Sequence, residues 1–311
     1  MSTPRVLVTC PPMLKALPEF QQQFDALGWE VTAPRVTQTL TVDELKPLVA
    51  SHDGWIIGDD PANREVVDAG SSGALRAAVK WGVGIDNVDL EAFKVHGIPV
   101  TNTPGMFGNE VADIALGYLI ALARHTFEIH RDVCAGAWPK PPGRSLKGSR
   151  CALVGYGDIG RQLAKRLEVC GVELTIYDPA LTDDPRVRSW PVELDECDFI
   201  CFTCALTPSN HHMLNAEVLQ RSVRQGVRVI NVSRGPLIDQ AALCKTLEAG
   251  TVAAVALDVF EQEPLPAADP LRRYPQNIFG THNASNTVEA VRATSHRAIK
   301  LLAEALETEE R

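Results

Sequence analysis

The run Gly155-Tyr-Gly-Asp-Ile-Gly160 has the G-x-G-x-x-G spacing that can hold a pyrophosphate, and its surroundings decide whether it does. A short apolar run of strand type, Cys151–Val154, precedes it; Ile159, Leu163 and Leu167 then recur every four residues, which predicts a helix. Gly171 closes that helix, and Val172–Tyr177 forms a second β-rich run ending in Asp178. The whole is close to the ~30 residues of one βαβ unit. Gly155 permits the tight turn, Gly157 lets the backbone approach the anion, and Gly160 lets helix and strand pack closely. Asp158 and Ile159 open the helix, whose unpaired N–H groups face the phosphates. Asp178 is placed to accept from adenosine ribose hydroxyls and opposes a 2′-phosphate. Two like charges about 4 Å apart at an effective dielectric near 20 cost ~4 kcal/mol. Pro179 and Ala180 supply no cation to reverse this, so the expected cofactor is NAD. Three later β-rich runs each lead into reactive polar groups: Val227–Ser233 into Arg234, Val252–Leu257 into Asp258 and Glu263, Ile278–Phe279 into His282. In open α/β sheets that edge is where ligands bind. One such arginine is more often a surface residue; an ordered set behind a dinucleotide turn points to a site.

These residues need elements to hold them. Strand and helix patterns alternate almost throughout, which implies a parallel α/β protein rather than a bundle or sandwich. The expected order opens with strand Arg5–Thr9, helix Pro18–Leu27 stopped by Gly28, and strand Glu30–Thr32. A helix over Val42–Ala50, capped by Thr41, leads to a strand over Gly54–Gly58. Ser72–Leu75 leads into an apolar strand over Ala77–Trp81, followed by a helix over Asp89–His96 and a strand over Ile98–Thr101. At Thr103-Pro104-Gly105 the pattern changes. Val111, Ala115, Leu119 and Leu122 then mark one face of a helix over Asn109–Arg124. The proline-rich Trp138–Gly143 cannot continue a helix and reads as an exposed arm or linker.

Composition sets the limits. The chain has 311 residues, which at about 150 per domain suggests two domains. Thirty Lys and Arg against 39 Asp and Glu give a net charge of −9, which argues against nucleic-acid or anionic-membrane partners. The longest apolar stretch, Ile114–Ala123, is far short of the ~20 residues that span a bilayer, and the N-terminus lacks a secretory pattern. Eight scattered cysteines read as small core residues in a reducing, cytoplasmic setting. Cys201-x-x-Cys204 lies in a buried-strand pattern without a second ligand pair, so no metal is expected. His211-His212, in a turn-like stretch, reads as solvated.

Several motifs extend the pattern: Lys80-Trp-Gly-Val-Gly-Ile-Asp-Asn-Val-Asp89, Thr101-Asn-Thr-Pro-Gly105, Asn231-Val-Ser-Arg-Gly-Pro-Leu-Ile-Asp239, Ala256-Leu-Asp-Val-Phe260, Glu263-Pro264 and Thr281-His-Asn-Ala-Ser285. With the glycine turn and Tyr177-Asp-Pro179, they resemble the D-isomer-specific 2-hydroxyacid dehydrogenase family over nearly the whole chain, the phosphoglycerate dehydrogenase branch being nearest. The resemblance implies two Rossmann-like or flavodoxin-like, doubly wound parallel-sheet domains with the active site in the cleft between them. Residues 1–103 and 284–311 would form the substrate domain and 104–283 the NAD-binding domain. It also implies a catalytic trio of Arg234, Glu263 and His282. In that trio His282 is the acid for a 2-oxo acid's carbonyl oxygen and the base in reverse. Glu263 would favour and orient the charged imidazole, and Arg234 would hold the substrate carboxylate and polarise the carbonyl. Asp258 is expected at the nicotinamide amide. Val232 and Cys204 would line the cofactor through backbone or packing, and Ser233 and Ala284 stand beside these contacts.

For the substrate, the resemblance assigns carboxylate binding to the backbone of Gly82, Val83 and Gly84. Lys80 stands where the phosphoglycerate branch has a cation, usually arginine, and as a point charge it can still bind a distal phosphate. Trp81 either narrows the pocket or packs beneath the loop. Thr203-Cys204-Ala205 departs from the family's usual His-Thr-Pro run. The leading expectation is an enzyme close to 3-phosphoglycerate dehydrogenase; a glyoxylate/hydroxypyruvate reductase is the nearest alternative. An NAD(H)-sensing protein similar to the family's transcriptional corepressors is the alternative outside catalysis. A homodimer through the cofactor domain is implied, and with 29 residues after His282 no feedback-binding extension is expected.

Overall fold

The computed structural model describes residues 3–308. Among these residues two compact units form, one running up to Met106 and resuming from Asn286, the other Phe107–Ser285. The boundaries expected from sequence lie a few residues earlier, at 103/104 and 283/284.

The first unit carries strands β1 (Arg5–Val8), β2 (Glu30–Thr32), β3 (Gly54–Ile57), β4 (Ala77–Lys80) and β5 (Val100–Asn102). Its helices are α1 (Pro11–Lys15), α2 (Gln21–Leu27), α3 (Val42–Ala50), α4 (Arg64–Ser71) and α5 (Leu90–Val95), joined at the end of the chain by α11 (Val288–Thr308). The sheet is parallel, in the order β2-β1-β3-β4-β5. β3 and β4 are buried along their whole length, as expected for strands covered on both faces, and α11 packs on them. Thr41 caps α3 in a reciprocal box with Glu44.

The second unit carries α6 (Gly108–Arg124), α7 (Thr126–Cys134), β6 (Arg150–Val154), α8 (Asp158–Val169), β7 (Glu173–Tyr177), β8 (Phe199–Phe202), α9 (Ala216–Arg221), β9 (Val227–Asn231), α10 (Gln240–Glu248), β10 (Val252–Leu257) and β11 (Ile278–Phe279). Its sheet is also parallel, in the order β11-β10-β9-β8-β6-β7. Strand pairing sets Phe279, Leu257, Asn231, Phe202, Val154 and Tyr177 in one rank across all six strands. The residues that follow this rank form the carboxyl edge, so the sheet itself gathers segments distant in sequence.

Some expectations are corrected. Pro18–Leu27 is not one helix: Leu17–Phe20 tightens into a 3-10 turn with Pro18 in its first turn, and α2 begins at Gln21. Five helices went unread, among them α9, capped by Asn215, and α10, capped by Asp239. α1 has Pro in its first turn, where the missing N–H costs nothing; α4 is capped by Asn63; α7 restarts after His125 takes a left-handed conformation (φ 56°). Trp138–Gly143 is irregular and largely exposed. The cysteines are not all core: Cys134 is exposed, and Cys170, Cys204 and Cys244 are half-buried.

Candidate active site

The glycine turn lies just past the rank at the end of β6. Gly155 has φ 96°, and a side chain there would run into the backbone of Cys204, which follows β8. A Cβ on Gly160 would overlap the Gly155 carbonyl, so α8 packs hard on β6 only because the residue is glycine. At Gly157, by contrast, the space is open, and α8 starts there without a side chain to cap it. Asp158 and Ile159 form the first helical turn. An anion fits this place, with the helix-start N–H groups as donors. At the end of β7, Asp178 accepts from the Tyr156 N–H (2.6 Å) and the Ala180 N–H (2.9 Å). Its carboxylate is thereby fixed beside the turn, where it can meet ribose hydroxyls. These residues fit a dinucleotide.

The next segment follows β9. The buried Asn231 side chain accepts from the Ser233 N–H (3.0 Å) and donates to the Arg234 carbonyl (2.8 Å), which staples the Val232–Arg234 turn at both ends. Ser233 Oγ donates to the Cys204 carbonyl, and Val232 is buried, so both act through packing and backbone. A Cβ on Gly235 would overlap the Phe260 carbonyl carbon; the Arg234 turn therefore lies directly against the segment that leads to Glu263. Asn231 is a positioning residue that sequence reasoning did not single out. Its signal was a polar amide at the end of an otherwise apolar strand.

After β10 and β11 come the carboxylate and the imidazole. Glu263 Oε1 accepts from the Phe260 N–H (2.9 Å), and Oε2 lies 2.8 Å from His282 Nδ1. An ionised carboxylate can only accept, so Nδ1 carries the proton and Nε2 is the nitrogen left for proton transfer. His282 sits at φ 55°, and its N–H donates to the Asp258 carbonyl (2.7 Å). The Asp258 carboxylate, 2% exposed, accepts from the Asn283 N–H (3.1 Å) and the Ala284 N–H (2.8 Å). Burial pushes this carboxyl above the usual range, against the pull of the two N–H groups and of His282. Asp258 thus shapes the His282–Ala284 turn, a role the assignment to the nicotinamide amide did not include. Burial also pushes up the phenol of Tyr118, with Asp258 adding to the effect.

In the first unit the structure corrects two substrate assignments. Lys80 is no free cation: its side chain is 3% exposed and pairs with Asp59 at 2.9 Å. The Gly82 N–H donates to Thr103 Oγ1 (2.8 Å), and only Val83 and Gly84 remain as candidate loop donors. Trp81 is buried, its Nε1 donating to Ser295 Oγ of α11 (3.0 Å). His212, expected to be solvated, has a side chain 36% exposed and pairs with Glu261 at 2.5 Å. Burial pushes the Cys201 and Cys204 thiols up to about 12, which makes them poor nucleophiles or ligands.

A sheet with a nucleotide cradle at the β6–β7 end and an oriented imidazole at the β10–β11 end is that of a nicotinamide-dependent dehydrogenase. Residues 116–284 match the family described as D-isomer specific 2-hydroxyacid dehydrogenase, NAD binding domain, and the chain belongs to this family. It is similar to a glyoxylate reductase of Korarchaeum cryptofilum (33% identity over 97% of this chain and 92% of that protein). It also resembles D-3-phosphoglycerate dehydrogenase 2, chloroplastic, of Arabidopsis thaliana (34% identity over 87% of this chain and 44% of that protein). Among solved structures, the TT0316 protein from Thermus thermophilus superposes with a TM-score of 0.87 at 32% identity, covering 98% of this chain and 97% of that one. The chain is accordingly an NAD-dependent oxidoreductase acting on 2-hydroxy or 2-oxo acids.

Proposed function

We propose that the chain reduces a short, unphosphorylated 2-oxo acid, glyoxylate or hydroxypyruvate, to its D-2-hydroxy acid. The observation that carries this choice over the phosphoglycerate reaction is the Lys80–Asp59 pair. The ammonium assigned to a distal phosphate is buried and already paired, and taking up a second anion there would mean displacing its carboxylate partner. The likeness to a glyoxylate reductase along almost its whole length supports the same side.

Held by the Gly155–Gly160 turn and Asp178, the nicotinamide cofactor would supply the hydride chemistry at the carbonyl carbon. His282 Nε2 gives the proton to the carbonyl oxygen, so that C=O becomes CH–OH, and in the reverse direction it takes the proton back. Glu263, held by the Phe260 N–H, keeps the ring oriented and favours its charged form. Arg234 binds the substrate carboxylate and draws electron density from the carbonyl. We propose further that the working form is a homodimer built on the cofactor unit. Ile114, Ile120, Phe127, Val133 and Trp138 expose apolar surface along α6, α7 and the arm that follows, which supports it.

The test is steady-state NADH oxidation with glyoxylate, pyruvate, hydroxypyruvate and 3-phosphohydroxypyruvate. We expect kcat/KM for glyoxylate or hydroxypyruvate to exceed that for the phosphorylated acid by at least about tenfold, or ~1.4 kcal/mol. A preference for 3-phosphohydroxypyruvate overturns the substrate. NADH binding without turnover of any of the four points instead to a sensing protein.

A further inference from the structure

The Lys80–Asp59 pair has more in it than the loss of a cation. It stands at the carboxyl edge of the first unit's sheet, Asp59 two residues past the end of β3 and Lys80 at the end of β4. The order β2-β1-β3-β4-β5 reverses direction between β1 and β3, so Asp59 follows one of the two strands flanking the switch point where doubly wound sheets leave a crevice for a ligand, and Lys80 ends the strand beside it. The turn that carries Asp59 is built rigidly. Asn87 donates to the Gly58 carbonyl (3.2 Å) and the Asp60 carbonyl (2.7 Å), one on each side of Asp59. Asp60 is buried and accepts from the Leu40 N–H (2.8 Å).

The two members of the pair are unequal. The Lys80 side chain is 3% exposed, that of Asp59 37%. Gln38 Nε2 approaches the second Asp59 oxygen at 3.5 Å, and a Cβ on Gly82 would lie 3.6 Å from Lys80 Nζ, so the pair adjoins the loop. What the edge presents to a ligand is therefore the carboxylate, with the ammonium behind it. A ligand with a distal phosphate or carboxylate meets like charge there, while a small group or a hydroxyl can be accepted.

We propose that Asp59 is a specificity determinant that excludes 2-oxo acids bearing a second anionic group. The proposal rests on the reading of the chain as a reductase of small 2-oxo acids and names the residue that sets the limit. Asp59 works by repulsion as well as by masking Lys80, and specificity of this kind is built against the wrong ligand. Removing its charge exposes a cation suited to the very ligand the wild type rejects.

The experiment compares wild type, Asp59→Asn, the double variant Asp59→Asn/Lys80→Met, and the exchange variant Asp59→Lys/Lys80→Asp, which keeps an ion pair but turns its exposed member positive. Each is assayed with glyoxylate, hydroxypyruvate and 3-phosphohydroxypyruvate. Each NADH-loaded protein is also titrated calorimetrically with D-glycerate and D-3-phosphoglycerate, a readout that needs no turnover. We expect Asp59→Asn and the exchange variant to raise the ratio of phosphorylated to unphosphorylated kcat/KM at least tenfold, mainly through KM, and to bind D-3-phosphoglycerate more tightly by a similar factor. The double variant should lose that gain. An unchanged ratio in a folded variant that binds NADH overturns the proposal, as does a wild type that prefers the phosphorylated acid. If no protein turns over a 2-oxo acid yet Asp59→Asn gains D-3-phosphoglycerate binding, the reductase reading fails and the role of Asp59 stands.

Discussion

His282 holds a backbone conformation that non-glycine residues seldom adopt, and it is kept there by its N–H bond to the Asp258 carbonyl and its ring bond to Glu263. That over-determination suits a proton donor, since a ring free to rotate would lose the alignment its reaction needs. His282→Asn should therefore lower kcat by about 10²–10⁴-fold with NADH affinity nearly unchanged, the range ascribed to a positioned acid. Glu263→Gln keeps an acceptor but removes the charge that favours imidazolium, so the pH above which reduction declines should move down. Stopped-flow NADH binding and pH profiles of kcat measure both. Wild-type turnover in the His282 variant would remove it from the chemistry, and an unmoved profile in the Glu263 variant would leave Glu263 a purely structural anchor. The 19-residue separation of Glu263 and His282 was legible because each follows a β-rich run. The Lys80–Asp59 pair was not, because nothing in the local pattern of either residue announces a partner on the neighbouring strand.

Strands were the most legible elements. A parallel strand buried on both faces reads as a continuous apolar run, as Val252–Leu257 does, and that strand, Ile278–Phe279 and the half-buried edge strand Glu30–Thr32 begin and end where sequence placed them. Short helices such as Pro11–Lys15 and Arg64–Ser71 were lost because one or two turns give too few repeats for a period to show. Less legible still was the work of Asp258, which depends on the turn after β11 folding back to β10. Its carboxyl is raised by burial, so the folded chain holds that proton more tightly than the unfolded chain does. The stability it contributes is complete below the unfolded value of ~3.9 and is lost as pH rises through the higher folded value. Asp258→Asn abolishes this titration while leaving one of the two turn N–H groups without its acceptor. The variant's deficit in Tm should be largest near pH 4 and shrink toward neutrality, with kcat lower by about tenfold or more from the misplaced His282 turn. Thermal melts from pH 4 to 8 decide it, and a deficit that grows with pH would mean that the two N–H bonds outweigh desolvation.

At the scale of the whole molecule, two units with separate cores account for the length and the ordinary composition, and a net charge of −9 favours solubility without naming a partner. The exposed rings of the second unit are harder to reconcile with a lone chain. Phe127 is 56% exposed and Trp138 78%, and both lie in or just beyond α7, where no other apolar residue of the helix is buried. Aromatic side chains offer about 150–250 Å² each, so withdrawing roughly half of that from water at ~25 cal/mol per Å² gives about 2–3 kcal/mol per ring. In a two-fold dimer each ring counts twice, a gross term of about 10 kcal/mol set against the cost of association. In the proposed dimer, Phe127→Asp/Trp138→Asp should thus weaken association at least about a thousandfold. Sedimentation of wild type and variant across the micromolar range tests it. A wild type that sediments as a monomer defeats the dimer; a variant that stays dimeric moves the interface off these rings; and a monomeric variant that keeps its NADH affinity shows that the cradle at β6 and β7 is complete within one chain.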